Sequence, residues 1–495
     1  MKFQSTRNIT ETKYSSAQVI KQGIAEDGGL FVPETIPQIT SNEIVEFSSL
    51  SYPELAAKIL YKFLTDYSYD ELLEDCNNAY SSNNFINGIC PLTPINENTY
   101  SLELWHGPTC AFKDIALQIM PRLLSRALVK TGENRTALVL VATSGDTGKA
   151  ALEGYKDINQ IKISVFYPQN GVSTIQKLQM ITQSGTNVQV CGVEGNFDDI
   201  QTGVKKIFSS QEIAEELNEK GYVLSSANSI NFGRLAPQIV YYFKAYCDLL
   251  NNQKINLGEP INVCVPTGNF GNILAAYIAK LMGLPINKLI CASNSNNILT
   301  EFLNTGSYNR NRPFHLTISP SMDILISSNL ERLLYFICGA AKTSEYMKNL
   351  NENGSYLVDN DTMNKIRESF VGYFASESNT IQTIKNAFEH HNYLIDTHTA
   401  VALYSLEEYR KNTMDCTPTV ITSTANPYKF AKDVYTSIFN NQDITDIEGF
   451  YKLAQETGIE IPVPLQNIEN KPIRFNNSIP ASQMYNEIIN FIEKK

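Results

Sequence analysis

The sequence predicts an α/β protein built from parallel sheets with crossover helices, preceded by a mainly helical N-terminal unit. Three observations point there. Short apolar runs of strand length recur through the middle of the chain, each followed by a turn and a helical stretch, which is the pattern a parallel sheet requires. Several of those turns are rich in glycine and hydroxyl side chains, and ligands of such sheets sit at the carboxyl ends of the strands. At 495 residues the chain is also too long for one simple core and suits two or three lobes around a large buried interior.

Residues 1–85 are expected to form an N-terminal domain, with helical patterning at 17–23 and 53–64 joined by the turn-rich Asp27-Gly28-Gly29-Leu30-Phe31-Val32-Pro33. The stretch 81–98, rich in Asn, Gly and Pro, reads as a linker into a core of two α/β lobes at 86–440. Within that core, strands are expected at 136–143, 161–167, 187–193, 261–265, 288–292 and 419–422, with helices at 148–155, at 272–282 and from Pro427 onward. Residues 320–400 read as mainly helical. The remainder, 441–495, is expected to be a C-terminal helical extension that carries Pro462-Val463-Pro464 and an amphipathic helix at 484–492. No internal repeat or low-complexity block interrupts the pattern.

Forty Lys and Arg against 51 Asp and Glu give a net charge of -11, which argues against a nucleic acid or an anionic membrane as the main partner. An acidic chain that handles an anion must concentrate its few cations at the site, so basic residues inside motifs gain weight. The nine cysteines are scattered, with no CxxC pair, and the five histidines lack metal-ligand spacing. These features fit a reducing compartment and no metal. No apolar run suggests a signal peptide or membrane span, so the expectation is a cytoplasmic protein with no membrane partner.

The chain is organised around Trp105-His106-Gly107-Pro108-Thr109-Cys110-Ala111-Phe112-Lys113-Asp114, a turn that runs into a helix. Gly107-Pro108 punctuates the turn, and Thr109 is expected to cap the helix with its hydroxyl. Lys113 then falls in the first helical turn, where the positive end of the helix and apolar neighbours both favour the neutral amine. A neutral lysine is a nucleophile able to condense with an aldehyde cofactor. Taken alone, a surface lysine paired with Asp114 is the commoner case. Cys110 reads as a packing residue and His106 as a packed or backbone-bonded imidazole.

Two Gly-rich turns shift that balance. Val265-Pro266-Thr267-Gly268-Asn269-Phe270-Gly271-Asn272 follows a strand and opens a helix, so backbone N–H groups can converge on a phosphate. It lacks the GxGxxG dinucleotide pattern, and a tight strand-to-helix turn is an equal reading. Thr143-Ser144-Gly145-Asp146-Thr147-Gly148-Lys149 occupies the same place after an earlier strand. It is no Walker A loop, because Thr143 stands where Gly is needed and Ala150 where Ser or Thr is needed. Its hydroxyls suit a carboxylate instead, with an ordinary capped turn as the alternative. Asn228-Ser229-Ile230-Asn231-Phe232-Gly233-Arg234 supplies two amides, a hydroxyl and an arginine able to grip an oxyanion, or else a surface loop. Ser423-Thr424-Ala425-Asn426-Pro427 again ends a strand with hydroxyls, at least partly as a helix cap.

Together these stretches resemble the fold type II pyridoxal-phosphate enzymes, and within them the threonine synthase family in its longer bacterial and fungal form. HGPTCAFKD at 106–114, SGDTG at 144–148, GNFGN at 268–272 and STANPYKF at 423–430 carry the resemblance, with Tyr14-Ser15-Ser16 and GIAEDGGLFVPE at 23–34 similar to the family's N-terminal domain. The resemblance implies a pyridoxal 5'-phosphate enzyme of threonine biosynthesis that converts O-phospho-L-homoserine and water into L-threonine and phosphate, as a monomer or homodimer. It implies that Lys113 holds the cofactor and acts as catalytic base. Gly268, Asn269, Phe270, Gly271 and Asn272 would bind the cofactor phosphate, and Thr424 the pyridine nitrogen. Asp146, where the fold class usually carries Asn, would face the cofactor ring. Ser144 and Thr147 would take the substrate carboxylate, and Asn228, Ser229 and Arg234 the substrate phosphate. Other readings are a dehydratase or β-replacing synthase of the same fold class, a silent homologue that binds a phosphorylated ligand, and, weakest, a nicotinamide dehydrogenase.

Overall fold

The computed structural model describes residues 1–8, 11–143, 145–170 and 172–494. Two sheets organise it. One has six strands in the spatial order Phe370–Phe374, Ile286–Ser293, Ile261–Pro266, Thr419–Ser423, Thr99–Glu103, Leu92–Asn96, all parallel except the last, which is antiparallel to its neighbour. The other has five parallel strands in the order Ser478–Pro480, Val188–Glu194, Ile161–Pro168, Thr136–Ala142, Tyr222–Ser226. The central strands are apolar on both faces, as helices covering both sides demand. Ala137 to Val141 and Ile261 to Pro266 are buried at every position. Each fully buried Val, Leu or Ile there contributes roughly 1.5–3 kcal/mol.

The strands at 136–142, 161–168, 188–194, 261–266, 286–293 and 419–423 fall where the apolar runs place them. Four features differ from expectation. The supposed linker contains Leu92–Asn96, an edge strand whose half-polar sequence hides it. Helix Phe232–Asn251, the longest after the kinked Leu330–Asn353, begins in a segment that reads as turn and includes Pro237. The stretch 320–400 contributes the edge strand Phe370–Phe374 as well as helices. The C-terminal stretch is not wholly helical, because Ser478–Pro480 extends the five-stranded sheet before the helix Met484–Glu493.

Near the N-terminus, Phe3–Ser5 pairs with Phe31–Pro33 and helices run over Ser16–Gln22, Ser41–Phe47, Tyr52–Phe63 and Tyr69–Ala79. Arg332 ties this region to the rest. Its fully buried guanidinium donates from Nε to the Phe31 carbonyl at 2.9 Å, from Nη1 to Asn329 Oδ1 at 2.5 Å and from Nη2 to the Ile230 carbonyl at 2.5 Å. Burial lowers its pKa to about 9, yet every neighbour it meets is an acceptor, so the cation is satisfied by hydrogen bonds.

One close packing sets the geometry of the site below. Helix Asp146–Tyr155 lies against the short helix Lys113–Leu117 because Gly154 has no side chain; a Cβ there would stand 1.8 Å from the Leu117 carbonyl oxygen. Among the described residues no helix is long and apolar enough to cross a membrane.

Candidate active site

Lys113 is the first residue of helix Lys113–Leu117. Thr109 does not cap this helix. Its hydroxyl donates to Asp114 Oδ1 at 2.7 Å and its N–H to Oδ2 at 2.8 Å, because a buried carboxylate accepts strongly from both groups, whereas a helix N-terminus only donates to a capping hydroxyl. Asp114 is thereby occupied, although burial still raises its pKa to about 6, and it leaves Lys113 without the sequence-adjacent partner. The Lys113 side chain is 11% exposed, and its Nζ lies 3.4 Å from Asp146 Oδ2. Burial pushes this amine below its ordinary value; Asp146 opposes the shift, while the charges of Lys429 and Arg234 add to it.

Asp146 opens helix Asp146–Tyr155. Its Oδ1 receives Lys429 Nζ at 2.9 Å and Gln176 Nε2 at 2.8 Å. Burial alone would raise this carboxyl, but the Lys429 and Lys113 ammoniums overcome that and hold it well below the usual carboxylate range. The turn before it is shaped by Thr143, whose Oγ1 accepts from the N–H groups of Gly145 at 3.0 Å and Gly148 at 2.9 Å. Lys149 points elsewhere, to Glu153 Oε2 at 2.8 Å and Gln183 Oε1 at 2.5 Å, so it cannot serve as a P-loop lysine. Ser144 lies outside the described residues. Thr147 is partly exposed, and its hydroxyl has no partner among the described residues.

The second glycine turn links strand Ile261–Pro266 to helix Gly271–Leu281 through Phe270, which sits in the left-handed region at φ 61°. Among the described residues, the backbone N–H groups of Gly268, Asn269, Phe270, Gly271 and Asn272 meet no acceptor, and they cluster at the positive end of a helix. The carbonyls point the other way. Gly268 O accepts from Ser327 Oγ at 2.7 Å, and Asn269 O from the N–H and Nδ2 of Asn329 at 3.1 and 3.0 Å. A Cβ on Gly268 would lie 2.8 Å from the Ser321 carbonyl oxygen. Ser321 is itself held by His398, whose Nε2 accepts the Ser321 N–H at 3.2 Å while Nδ1 faces Asp396 Oδ2 at 2.7 Å, which assigns the Nδ1-protonated tautomer. The free donors and the helix end fit a phosphate group.

Arg234 is the third residue of helix Phe232–Asn251 and is 4% exposed. Its Nη1 donates to the Ala227 carbonyl at 2.9 Å, its buried Nε has no partner, and no carboxylate pairs with it among the described residues. Burial lowers its pKa to about 10. Asn228 is exposed and Ser229 half-buried, and neither side chain is engaged within the described residues. Asn329 Nδ2 donates to Ser229 O at 3.3 Å as well as to Asn269 O, which brings this turn beside the glycine turn. Asn231 is excluded from ligand duty, since its Oδ1 caps the helix through Gly233 N–H at 2.9 Å and its Nδ2 binds the Ile20 carbonyl at 2.9 Å.

Thr424 stands across from Lys113. Phe112 N–H donates to Thr424 O at 2.8 Å, Asn426 N–H to Cys110 O at 3.0 Å, and Ala111 and Ala425 form an antiparallel bridge. The Thr424 hydroxyl has no partner among the described residues. The cap of the following turn Pro427–Phe430 is Asn426, through Tyr428 N–H at 3.0 Å. His106 bonds a side chain and not backbone, Glu103 Oε2 at 2.7 Å, and stacks on Trp105. No cluster able to hold a metal occurs among the described residues.

Lys429, Gln176 and Thr143 were not singled out by the sequence. Thr143 could have been, as the hydroxyl closing its strand; the other two are joined to Asp146 only by folding.

Comparisons with known proteins show the family. Residues 2–80 match the family model described as threonine synthase N terminus, and residues 95–422 that described as pyridoxal-phosphate dependent enzyme. Threonine synthase of Pseudomonas aeruginosa is 38% identical over 443 residues, which covers 88% of this chain and 90% of the relative. Human threonine synthase-like 1 is 39% identical over 455 residues, 88% of this chain, and the chain spans 60% of that relative's length. Among solved structures, threonine synthase from Brucella melitensis with pyridoxal phosphate bound superposes with a TM-score of 0.88 at 33% identity, covering 100% of both chains. Yeast threonine synthase gives 0.89 at 34% identity, covering 100% of this chain and 99% of the other.

Proposed function

Because the chain belongs to the threonine synthase family of pyridoxal-phosphate-dependent enzymes, we propose that it converts O-phospho-L-homoserine and water into L-threonine and inorganic phosphate. The fold is the type II fold of such enzymes and the cofactor is pyridoxal 5'-phosphate. When bound, the cofactor supplies an electron sink for charge that develops on the substrate carbons.

Lys113 would carry the cofactor, the N–H groups of Gly268 to Asn272 would hold its phosphate, and the unpaired Thr424 hydroxyl would face its ring nitrogen. A neutral hydroxyl there leaves that nitrogen less protonated than a carboxylate would. Asp146 faces the same amine and keeps negative charge in the site. With its amine free, Lys113 Nζ would take the Cα proton and then a Cβ proton, which would allow the γ-phosphate to leave. Lys113 would then return one proton to Cγ, water would add its hydroxyl at Cβ and give its proton to the departing phosphate, and Lys113 would return the last proton to Cα. Ser144 and Thr147 would orient the substrate carboxylate, with Asn228, Ser229 and Arg234 on its phosphate.

The observation that carries this reading is Arg234. A buried guanidinium with an orphan Nε and no carboxylate partner among the described residues, close enough for its charge to depress Lys113, suits an anion brought by a ligand. A dehydratase acting on serine or threonine has no need of a second phosphoryl anchor. The test is to supply the holoenzyme with O-phospho-L-homoserine and, separately, with serine or threonine. Equal yields of threonine and phosphate are expected from the first and no ammonia from the second. Ammonia release from serine or threonine without turnover of phosphohomoserine would overturn the proposal.

A further inference from the structure

Two buried lysines meet one buried carboxylate in this site. Lys429 Nζ lies 2.9 Å from Asp146 Oδ1, and Lys113 Nζ lies 3.4 Å from Oδ2. We propose that Lys429 is a positioning residue that sets the proton affinity of Lys113: by occupying Asp146 Oδ1 it keeps the carboxylate anionic, withholds it from tight pairing with Lys113, and places a positive charge beside that amine. This deepens the reading of Lys113 as the cofactor-bearing lysine and rests on it.

The hydrogen bonds are asymmetric. Lys429 is buried and spends its three donors at 2.9 Å each, on Asp146 Oδ1, the Thr109 carbonyl and Gln179 Oε1. Among the described residues Lys113 Nζ has one hydrogen-bond partner, at the longer distance. Of the two ammoniums, Lys113 therefore loses least when it gives up its proton. The charges that face the pocket lean the same way. Asp146 comes from its own helix, Lys113 from the lysine helix, Lys429 from the turn Pro427–Phe430 and Arg234 from helix Phe232–Asn251. Asp114 is turned to Thr109, and Lys149 is paired with Glu153. Two ammoniums thus share one carboxylate while the Arg234 charge bears on Lys113, and electrostatics favours release of a proton from the less well bound of the two. The direction found for Lys113 agrees, since burial lowers it and Lys429 adds to the lowering. Lys429 also grips the Thr109 carbonyl, so it fixes the turn that delivers Lys113 to this position.

The experiment measures the titration midpoint of Lys113 directly. The full-length chain, resolved from its cofactor, is acetylated with trace acetic anhydride across pH, and modification at Lys113 is read by peptide mass spectrometry. Lys429→Met should raise the midpoint by about one pH unit, which means about tenfold fewer neutral amines at a fixed pH below it. Asp146→Asn should move it the opposite way, and Lys429→Arg should restore it toward the wild-type value. A merely structural role would loosen the site in both variants and shift the two midpoints in the same direction. An unmoved or lowered midpoint in Lys429→Met overturns the proposal. Should that variant not fold, Asp146→Asn with Lys429→Arg decides, because a raised midpoint in the former or a displaced one in the latter is equally fatal. Borohydride trapping of cofactor on wild-type Lys113 tests the underlying reading separately: normal trapping with unmoved midpoints removes only the role given to Lys429.

Discussion

Phe112 donates its backbone N–H to the carbonyl oxygen of Thr424 at 2.8 Å, so the residue before Lys113 and the residue proposed to face the cofactor's ring nitrogen are one hydrogen bond apart. The bond belongs to a short zipper that includes Leu104 N–H to Ser423 O and Asn426 N–H to Cys110 O, both at 3.0 Å. Two stretches distant in sequence therefore share one rigid frame. Because Thr424 joins that frame through its backbone, its side chain is free to act on a ligand.

Thr424→Val should leave the frame and the cofactor in place while removing the hydroxyl. Loss of one hydrogen bond worth about 1 kcal/mol slows turnover by roughly fivefold to tenfold. Steady-state kinetics beside the absorption spectrum checks this, with kcat falling and the chromophore retained.

Arg234→Met should raise KM for phosphohomoserine by about 10- to 150-fold, the value of a hydrogen bond to a charged group, with cofactor still bound. Replacing a buried guanidinium that has no carboxylate partner among the described residues should also hold or raise the melting temperature of the substrate-free protein. Differential scanning fluorimetry with and without inorganic phosphate reads both effects, and the phosphate-dependent rise should vanish in the variant.

Gly154→Ala should destabilise the chain by at least about 2 kcal/mol, since its Cβ would meet the backbone of Leu117 and force apart the helices that bear Lys113 and Asp146. Urea denaturation measures the loss. The variant should also bind cofactor more weakly, because the two helices would no longer set the distance between amine and carboxylate.

Asp114 gives a pH dependence with a definite sign. Burial raises its carboxyl from 3.8 to about 6, so the folded chain holds this proton more tightly than the unfolded one. Its contribution to stability is full below 3.8 and is lost as pH rises toward 6. In Asp114→Asn the stability curve across that window should be flatter than wild type by up to about 1.4 kcal/mol per pH unit, as measured by denaturation at a series of pH values.

Much of the core was legible in the sequence because parallel strands buried on both faces leave continuous apolar runs, as at Thr136–Ala142 and Ile261–Pro266. Edge elements such as Leu92–Asn96 and Ser478–Pro480 are half exposed and carry no such run. The segments bearing Lys113, Asp146, Gly268 and Arg234 were visible because strand-to-helix turns announce themselves by glycine and hydroxyl residues. Their partners were not. Lys429 reads as an ordinary lysine in a capped turn, and only the fold brings it to Asp146 and Thr109. Thr109 looked like a helix cap because the sequence cannot say that a buried carboxylate competes for its hydroxyl.

The central claim is that Lys113, among several buried lysines, bears the cofactor. Borohydride reduction of the cofactor-loaded protein, followed by peptide mass spectrometry, tests it most directly. A pyridoxyl adduct is expected on the peptide containing Lys113 and on no other. An adduct on Lys429 or Lys149, with Lys113 unmodified, would contradict it.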